Sequence, residues 1–219
     1  MASNRTLLQR IYPGKSKTPA ARPSFALPKA DWQGDQFPRR VPPLPRGQQR
    51  LFHRFWLAVI RRGAGDSYDY NVFLVLARLG RIFPIHALLV SQLLRAGSIN
   101  PSDTERIIIR VAWRMGSQYE YAHHTRMALG HGIPRSEIES LTKESDQSWS
   151  PRTRILLTAA DELLETKNLS SPTYKQLNAE LDDNQIVEFC MLVGHYVMAA
   201  IILDVTGCEI EPAFGLDTP

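Results

Sequence analysis

The chain has 219 residues, 43% of them hydrophobic, which is enough for one sizeable core and predicts a single domain. Its 26 basic residues exceed the 22 acidic ones only slightly, and six of the basic residues lie among the first thirty residues, where there is no acid. No RNA- or DNA-binding motif accompanies this small excess, so the composition speaks against nucleic-acid binding.

The N-terminal region, residues 1–46, holds eight of the 15 prolines and is predicted to be an extended arm. We expect order only from residue 31 onward, with Trp32 and Phe37 as anchors, although an arm that wraps a neighbouring subunit is an alternative. The helical domain is predicted to span residues 47–212, followed by a short tail at 213–219.

Apolar residues recur at helical spacing through the domain, and no strand pattern interrupts them. The predicted fold is therefore all-α, a bundle of about eight helices with short connections. Ser150 followed by Pro151 is a clear helix start. The predicted helical segments are 48–62, 70–79, 85–96, 102–115, 117–132, 134–141, 152–167, 171–181 and 183–205.

Cys190 and Cys208 are eighteen residues apart and form no Cys-x-x-Cys motif, so they predict neither a disulfide framework nor a zinc site. We therefore expect a reduced, cytoplasmic setting. The longest apolar stretch, 186–205, is interrupted by polar residues such as Glu188 and Asp204, and we expect no membrane span.

Two consecutive helices, joined at residues 115–117, hold the residues suited to chemistry. Ser102 with Glu105 fits a capping box at the start of the first helix, and Ser117 with Glu120 repeats it at the second. Ser117, Glu120 and His124 also share one helix face. A hydroxyl, a carboxylate and an imidazole clustered there can pass protons at neutral pH, so capping and chemistry both stay open.

The same residues resemble the central motif of the carboxymuconolactone decarboxylase and alkyl hydroperoxidase D superfamily. Its redox members carry Glu, eleven residues, and then Cys-x-x-Cys-x-x-x-His. Here Glu105 is followed by eleven residues and then by Ser117-x-x-Glu120-x-x-x-His124, so the spacing is kept and both cysteines are replaced. The resemblance extends from about Arg40 to roughly residue 212 and implies a homo-oligomer, predicted here as a dimer, trimer or hexamer.

The missing cysteines change the chemistry that the resemblance implies. Peroxide reduction needs a thiolate to attack oxygen and a second thiol to close a disulfide, and neither Ser117 nor Glu120 can do this. The lactone decarboxylase branch implies proton transfer instead. We therefore expect an enzyme of the decarboxylase, isomerase or lyase type, without an organic cofactor, acting on a small organic acid, lactone or ketone. The alternatives are a residual peroxidase working through Cys190 and Cys208, and a non-catalytic small-molecule binder.

His124 is the predicted general base or acid. The resemblance places Glu105 beside it as a proton relay, and Glu120 is predicted to tune or relay the proton. Ser117 and Tyr121 are predicted to hold a substrate oxygen. A metal is not predicted, because Glu120 and His124 supply only two of the three ligands that a site needs.

Tyr119 and His195 are further candidates for the wall of a substrate pocket, with a structural hydrogen bond as the alternative for His195. His123 is predicted to face solvent or an interface. Three arginines at i+4 steps, Arg106, Arg110 and Arg114, predict a solvated face or a row of intersubunit salt bridges, with a carboxylate clamp as the less common alternative.

Overall fold

The computed structural model describes residues 39–65 and 67–211, and its regular secondary structure within these ranges is entirely helical. The predicted all-α fold is confirmed. Most of the predicted arm and the predicted tail lie outside the described residues, as do Trp32 and Phe37. The helices are α1 (Leu51–Ala64), α2 (Asn71–Leu76), α3 (Ile82–Arg95), α4 (Pro101–Met115), α5 (Gln118–Gly130), α6 (Arg135–Ser140), α7 (Pro151–Thr166), α8 (Ser171–Glu180) and α9 (Asp183–Thr206).

Helix α4 is the centre of the fold and packs against α5, α7 and α9. Its apolar residues, such as Ile107 and Val111, are fully buried, as predicted, but so are polar residues on its other sides. Glu105 and Arg110 are each only 1% exposed. Their polar groups need partners within the fold, because burial of an unpaired charge is costly.

The start of α4 differs from the predicted capping box. The N-cap is Asn100, whose side-chain oxygen accepts a hydrogen bond from the Ser102 backbone at 2.9 Å, with Pro101 in the first helical position. Asparagine is a strong N-cap and proline is favoured just after it, so this pair outcompetes Ser102. Glu105 is therefore not a capping residue and is available for another role.

The second predicted capping box also does not form. Gly116 takes a left-handed conformation with φ 73° and ends α4, and Ser117 is the N-cap of α5, as predicted. The Ser117 side chain makes no capping bond, and both it and Glu120 are buried. By contrast, the predicted start of α7 is correct, since Ser150 Oγ accepts from the Thr153 backbone at 3.0 Å.

The three arginines of α4 pair within the chain, which corrects the predicted solvated or intersubunit row. Arg110 is clamped by both carboxylate oxygens of Asp161 on α7, at 2.8 and 2.6 Å. Arg106 pairs with Glu137 on α6. Arg114 pairs with Glu144 in the loop before α7 and with Glu165 on α7. The stripe therefore ties the central helix to its neighbours.

Helix α9 is long and apolar enough to cross a membrane, judged by its length and composition alone. It packs against α4 and α8, and 44% of its most apolar stretch is buried inside the molecule. Phe189 and Val193 belong to the main core cluster, while Val187 and Met191 on the other side are exposed. The helix thus contributes a core face and leaves an apolar face uncovered.

Candidate active site

A cavity of about 330 Å³ lies between α1, α2, α3, α5 and α9. This volume is at the lower end of the range for small-molecule sites. Most of its wall is apolar, with side chains such as Phe73 and Val90, and its polar groups come chiefly from α3, α5 and α9. The cavity therefore suits a small, largely apolar ligand.

His124 and Glu105 form a buried pair at this cavity. His124 Nδ1 lies 2.8 Å from Glu105 Oε2, and the two side chains are 8% and 1% exposed. The Tyr196 ring meets the His124 ring edge-on, with centroids 4.8 Å apart. Because Glu105 engages Nδ1, the imidazole is fixed in orientation and Nε2 is left as the atom that can exchange a proton. His124 lines the cavity, whereas Glu105 acts through it.

Glu120 lines the same cavity without a partner. The residue is 3% exposed, and both carboxyl oxygens are buried with no hydrogen-bond partner among the described residues. Burial, followed by the charge of Asp204, raises the pKa of Glu120 well above its ordinary value. Burial therefore favours the protonated form of this carboxyl, which can donate a hydrogen bond.

Ser117 is fully buried, and its hydroxyl has no partner among the residues described. It does not line the cavity. The structure thus brings His124, Glu105 and Glu120 to one place, and sets Ser117 in the packed layer next to them.

His195 lines the cavity as predicted and is joined there by His86, which sequence reasoning missed. Their ring centroids are 5.1 Å apart. Burial, with smaller effects from His86 and His124, lowers the pKa of His195 to about 4. Burial also lowers the pKa of His86, whose two ring nitrogens are buried and unpartnered within the described part of the chain. Both imidazoles are therefore neutral at physiological pH.

The two tyrosines of the motif lie in different surroundings. Tyr119 lines the cavity, but its hydroxyl donates to Glu211 Oε1 at 2.7 Å and accepts from the Val72 backbone at 3.1 Å. Tyr121 is 2% exposed in the core cluster with Ile109 and does not line the cavity. Tyr121 is set away from Tyr119 because residues two apart point roughly 200° away from each other around a helix. Its predicted contact with a substrate oxygen stays a prediction.

Glu211 is a buried residue that contacts two side chains of the cavity wall, and no local sequence pattern points to it. Its Oε2 lies 2.7 Å from His123 Nε2, and its Oε1 also accepts from the Asn71 backbone at 2.6 Å. The His123 ring stacks on Tyr119 with centroids 4.3 Å apart and lines the cavity. The predicted solvent-facing position of His123 is therefore wrong.

The two cysteines lie away from this site. Cys190 is exposed, Cys208 is half-buried, and neither lines the cavity. Burial raises the pKa of both thiols, that of Cys208 to about 12. Cys190 lies on α9 roughly 24 Å of helix rise before the last residue of that helix, Thr206, and Cys208 follows the helix end. Within residues 39–65 and 67–211, no group of three or more His, Cys, Asp or Glu is placed to hold a metal ion.

Comparison with known proteins agrees with this fold. Residues 87–162 match the model of the carboxymuconolactone decarboxylase family. No curated protein matches the chain. Among solved structures, the alkylhydroperoxidase AhpD core of an uncharacterized peroxidase-related protein from Ralstonia eutropha JMP134 is similar with a TM-score of 0.71 and 15% identity, over 82% of this chain and 96% of that one.

Two further solved structures are similar at comparable identity. The debrominase Bmp8 in complex with 2,3,4-tribromopyrrole has a TM-score of 0.68 and 14% identity, covering 82% of this chain and 96% of that one. An uncharacterized peroxidase-related protein from Silicibacter sp. TM1040 has a TM-score of 0.66 and 15% identity, over 92% of this chain and 98% of that one. At these identities the structures show a shared fold. Together with the family match, they confirm the carboxymuconolactone decarboxylase and AhpD-like superfamily predicted from the motif.

Proposed function

We propose that this protein is an enzyme that moves a proton on a small organic molecule, a lyase or isomerase that needs no organic cofactor. The observation that carries the proposal is the 2.8 Å contact between Glu105 and His124, a residue of the cavity wall. A buried imidazole held by a carboxylate is suited to take and return a proton near neutral pH.

In this proposal His124 is the general base. Its Nε2 takes a proton from the substrate, while Glu105 holds the Nδ1 proton and stabilises the imidazolium that forms. Glu105 is buried beside the histidine and lies outside the cavity wall, so it orients the base and does not meet the substrate. A group used in this way typically contributes about 10²–10⁴ to the rate.

The substrate is proposed to be a small lactone, acid or ketone. The cavity volume of about 330 Å³ and its largely apolar wall support a compact molecule. The debrominase Bmp8, which shares the fold, was solved with the small ring 2,3,4-tribromopyrrole. That complex supports a ring-sized ligand in this fold.

The two alternatives fit the geometry less well. A peroxidase would need a reactive thiol, but the pKa of each cysteine is raised, and neither lies at the cavity. A passive scaffold would leave the motif side chains in water or in capping bonds. Instead Ser117, Glu120 and His124 are buried and make no capping bonds.

The test is turnover of a panel of lactones, 3-oxo acids and cyclic ketones by variants of the pair. We expect His124→Ala to lower kcat by about 10²–10⁴, and Glu105→Gln to lower it less, because the imidazole is kept but is no longer charge-stabilised. His131→Ala, at the exposed end of the same helix, is the matched control and should retain the wild-type rate. Unchanged turnover in a folded His124→Ala protein would contradict the proposal.

A further inference from the structure

Helix α1 exposes apolar side chains on the side that faces away from the core. Its inner side packs Leu57 and Ile60 into a buried cluster. Leu51 and Phe55, four residues apart and therefore on one face, are 83% and 61% exposed. Phe55 and Leu57 are separated by roughly 200° around the helix, so the face formed by Leu51, Phe52 and Phe55 points outward. A surface helix normally has polar residues on that side, and an exposed apolar face marks a contact surface.

Arginines flank this outer face of α1, and the segment around it contains no acid. Residues 39–65 hold seven arginines and neither Asp nor Glu. Arg46, Arg50 and Arg54 are exposed, and none of them forms a salt bridge within the described part of the chain. Arg54 Nη2 donates to the Arg46 carbonyl at 3.2 Å, which places all three at the N-terminal end of α1. Residues 1–30 add six further basic residues and no acid, so the surface combines apolar side chains with positive charge.

The charge of this surface decides among the partners that an apolar face can have. Across a two-fold axis a face pairs with itself, so Arg50 and Arg54 would meet the same arginines of a second copy, and like charges repel. An acidic segment of another protein would pair with the arginines but not with the apolar side chains. An anionic bilayer pairs with both, because its phosphates lie just outside its acyl chains.

We propose that α1 binds the surface of an anionic lipid membrane. Its outer face enters the boundary between headgroups and acyl chains, and the three flanking arginines pair with lipid phosphates. Helices that lie in this boundary carry Phe and Leu on one face with Arg or Lys beside them. Such binding is peripheral and reversible, and it needs no membrane-spanning helix. The inner side of α1 contributes Ile60 and Ala64 to the cavity wall, so the bound protein holds its cavity beside the bilayer.

The experiment is co-sedimentation of the full-length protein with vesicles of phosphatidylcholine alone and of phosphatidylcholine mixed with phosphatidylglycerol. We expect binding to the mixed vesicles only, and we expect it to weaken at about 1 M salt, where the screening length falls to about 3 Å. Leu51→Ser/Phe55→Ser should lower the partition coefficient about tenfold, because two apolar side chains no longer enter the bilayer. Arg50→Gln/Arg54→Gln should lower it by about the same factor at low salt.

The matched control is Tyr174→Ser/Lys175→Gln, which removes one exposed apolar and one exposed basic side chain from α8. It should bind the mixed vesicles as wild type does. Circular dichroism should show that all three variants keep the wild-type helix content, because every substituted side chain is exposed. The comparison of the two vesicle types with wild-type protein does not depend on any variant.

No binding to the mixed vesicles, or equal binding to both vesicle types, would overturn the inference. Binding that is lost in the arginine variant but kept in Leu51→Ser/Phe55→Ser would indicate an acidic macromolecule as the partner and would also overturn it. A lower molecular mass of Leu51→Ser/Phe55→Ser than of wild type by light scattering would identify the outer face of α1 as an interface between copies instead. Vesicle binding needs no turnover, so its failure is distinct from unchanged turnover in His124→Ala.

Discussion

Glu120 is the residue at which this chain departs furthest from the redox motif that it resembles. The redox members have a cysteine at this position, whereas here a carboxyl group is buried with both oxygens unpartnered. An unsatisfied buried polar group typically costs roughly 1–3 kcal/mol. A residue that destabilises the fold and lines a cavity is typical of a functional position, since activity and stability often trade against each other.

The raised pKa of Glu120 gives a pH-dependent prediction. The folded protein binds more protons than the unfolded chain between the ordinary value of 4.5 and the raised folded pKa, so wild-type stability falls as pH rises through this window. Glu120→Gln has no proton to lose at this position. We therefore expect it to become progressively more stable than wild type as pH rises above 4.5, measured by urea unfolding at several pH values.

The matched control for this titration is Glu139→Gln, an exposed acid on α6. Its stability difference from wild type should stay flat over the same range. A flat difference for Glu120→Gln, or one that falls with pH, would show that the folded protein holds Glu120 in its charged form.

Sequence reasoning found the residues of the site that are close along the chain. The family resemblance implied that Glu105 lies beside His124, and their Nδ1–Oε2 contact is present. The capping interpretation of Glu105 was wrong, because Asn100 provides a competing cap. Glu211 lies 88 residues from His123, and its approach is set by tertiary packing that no local pattern encodes.

At the scale of single elements, α4 shows how one helix both holds the core and supports the site. Most of its residues are buried, and its two most deeply buried charged residues are paired with different neighbouring helices. Glu105 meets His124 on α5, and Arg110 meets Asp161 on α7. Arg110 also donates to the backbone carbonyls of Leu141 and Lys143, at 2.8 and 2.5 Å.

Replacement of Arg110 should therefore be far more costly than replacement of its helix neighbour Arg114. Arg110→Ala leaves Asp161 and two carbonyls without their donor, and a broken buried pair costs about 3–5 kcal/mol. Arg114 pairs with Glu144 and Glu165, which are 84% and 62% exposed, and lies farther from Asp161, at 3.7 Å. Exposed pairs of this kind contribute at most about 1 kcal/mol. Thermal and urea unfolding give the free energy of unfolding of Arg110→Ala and Arg114→Ala. Equal losses of stability in the two variants would contradict a structural role for the Arg110 clamp.

The helices themselves could be predicted well, because apolar periodicity and cap residues are local signals. Ser150 with Pro151 begins α7 as predicted. Helix α3 begins at Ile82, three residues earlier than predicted, because Pro84 fits within a first turn, where no backbone N–H is needed. The role of the arginines could not be predicted, since periodicity does not show which helix face is covered by another element.

At the scale of the whole molecule, segments that are remote in sequence meet beside the cavity wall. The backbone N–H groups of Arg40 and Val41 donate to the carbonyl of Thr206, the last residue of α9. The Leu44 N–H donates to the Leu74 carbonyl in α2. Glu211 then binds the first residue of α2 through the Asn71 N–H. The two described ends of the chain thus meet around α2, which forms part of the cavity wall.

The outer face of α9 supports the homo-oligomer that the family resemblance implies. Val187, Met191, Met198, Ile201 and Val205 follow one another on one face of the helix and are 41–70% exposed. A continuous apolar stripe of this kind is unusual on a surface that stays in water. Across a two-fold axis, its counterpart is the same stripe of a second copy.

We therefore expect light scattering to show that the wild-type protein is a dimer, trimer or hexamer. The double variant Met191→Lys/Ile201→Lys should shift the protein toward the monomer, because each substitution would bury an unpaired ammonium group in the interface. Tyr174→Lys, an equally exposed apolar position on α8, is the control and should keep the wild-type mass. Circular dichroism separates dissociation from unfolding. A monomeric wild-type protein, or an unchanged mass in the folded double variant, would show that this stripe is not the interface between copies.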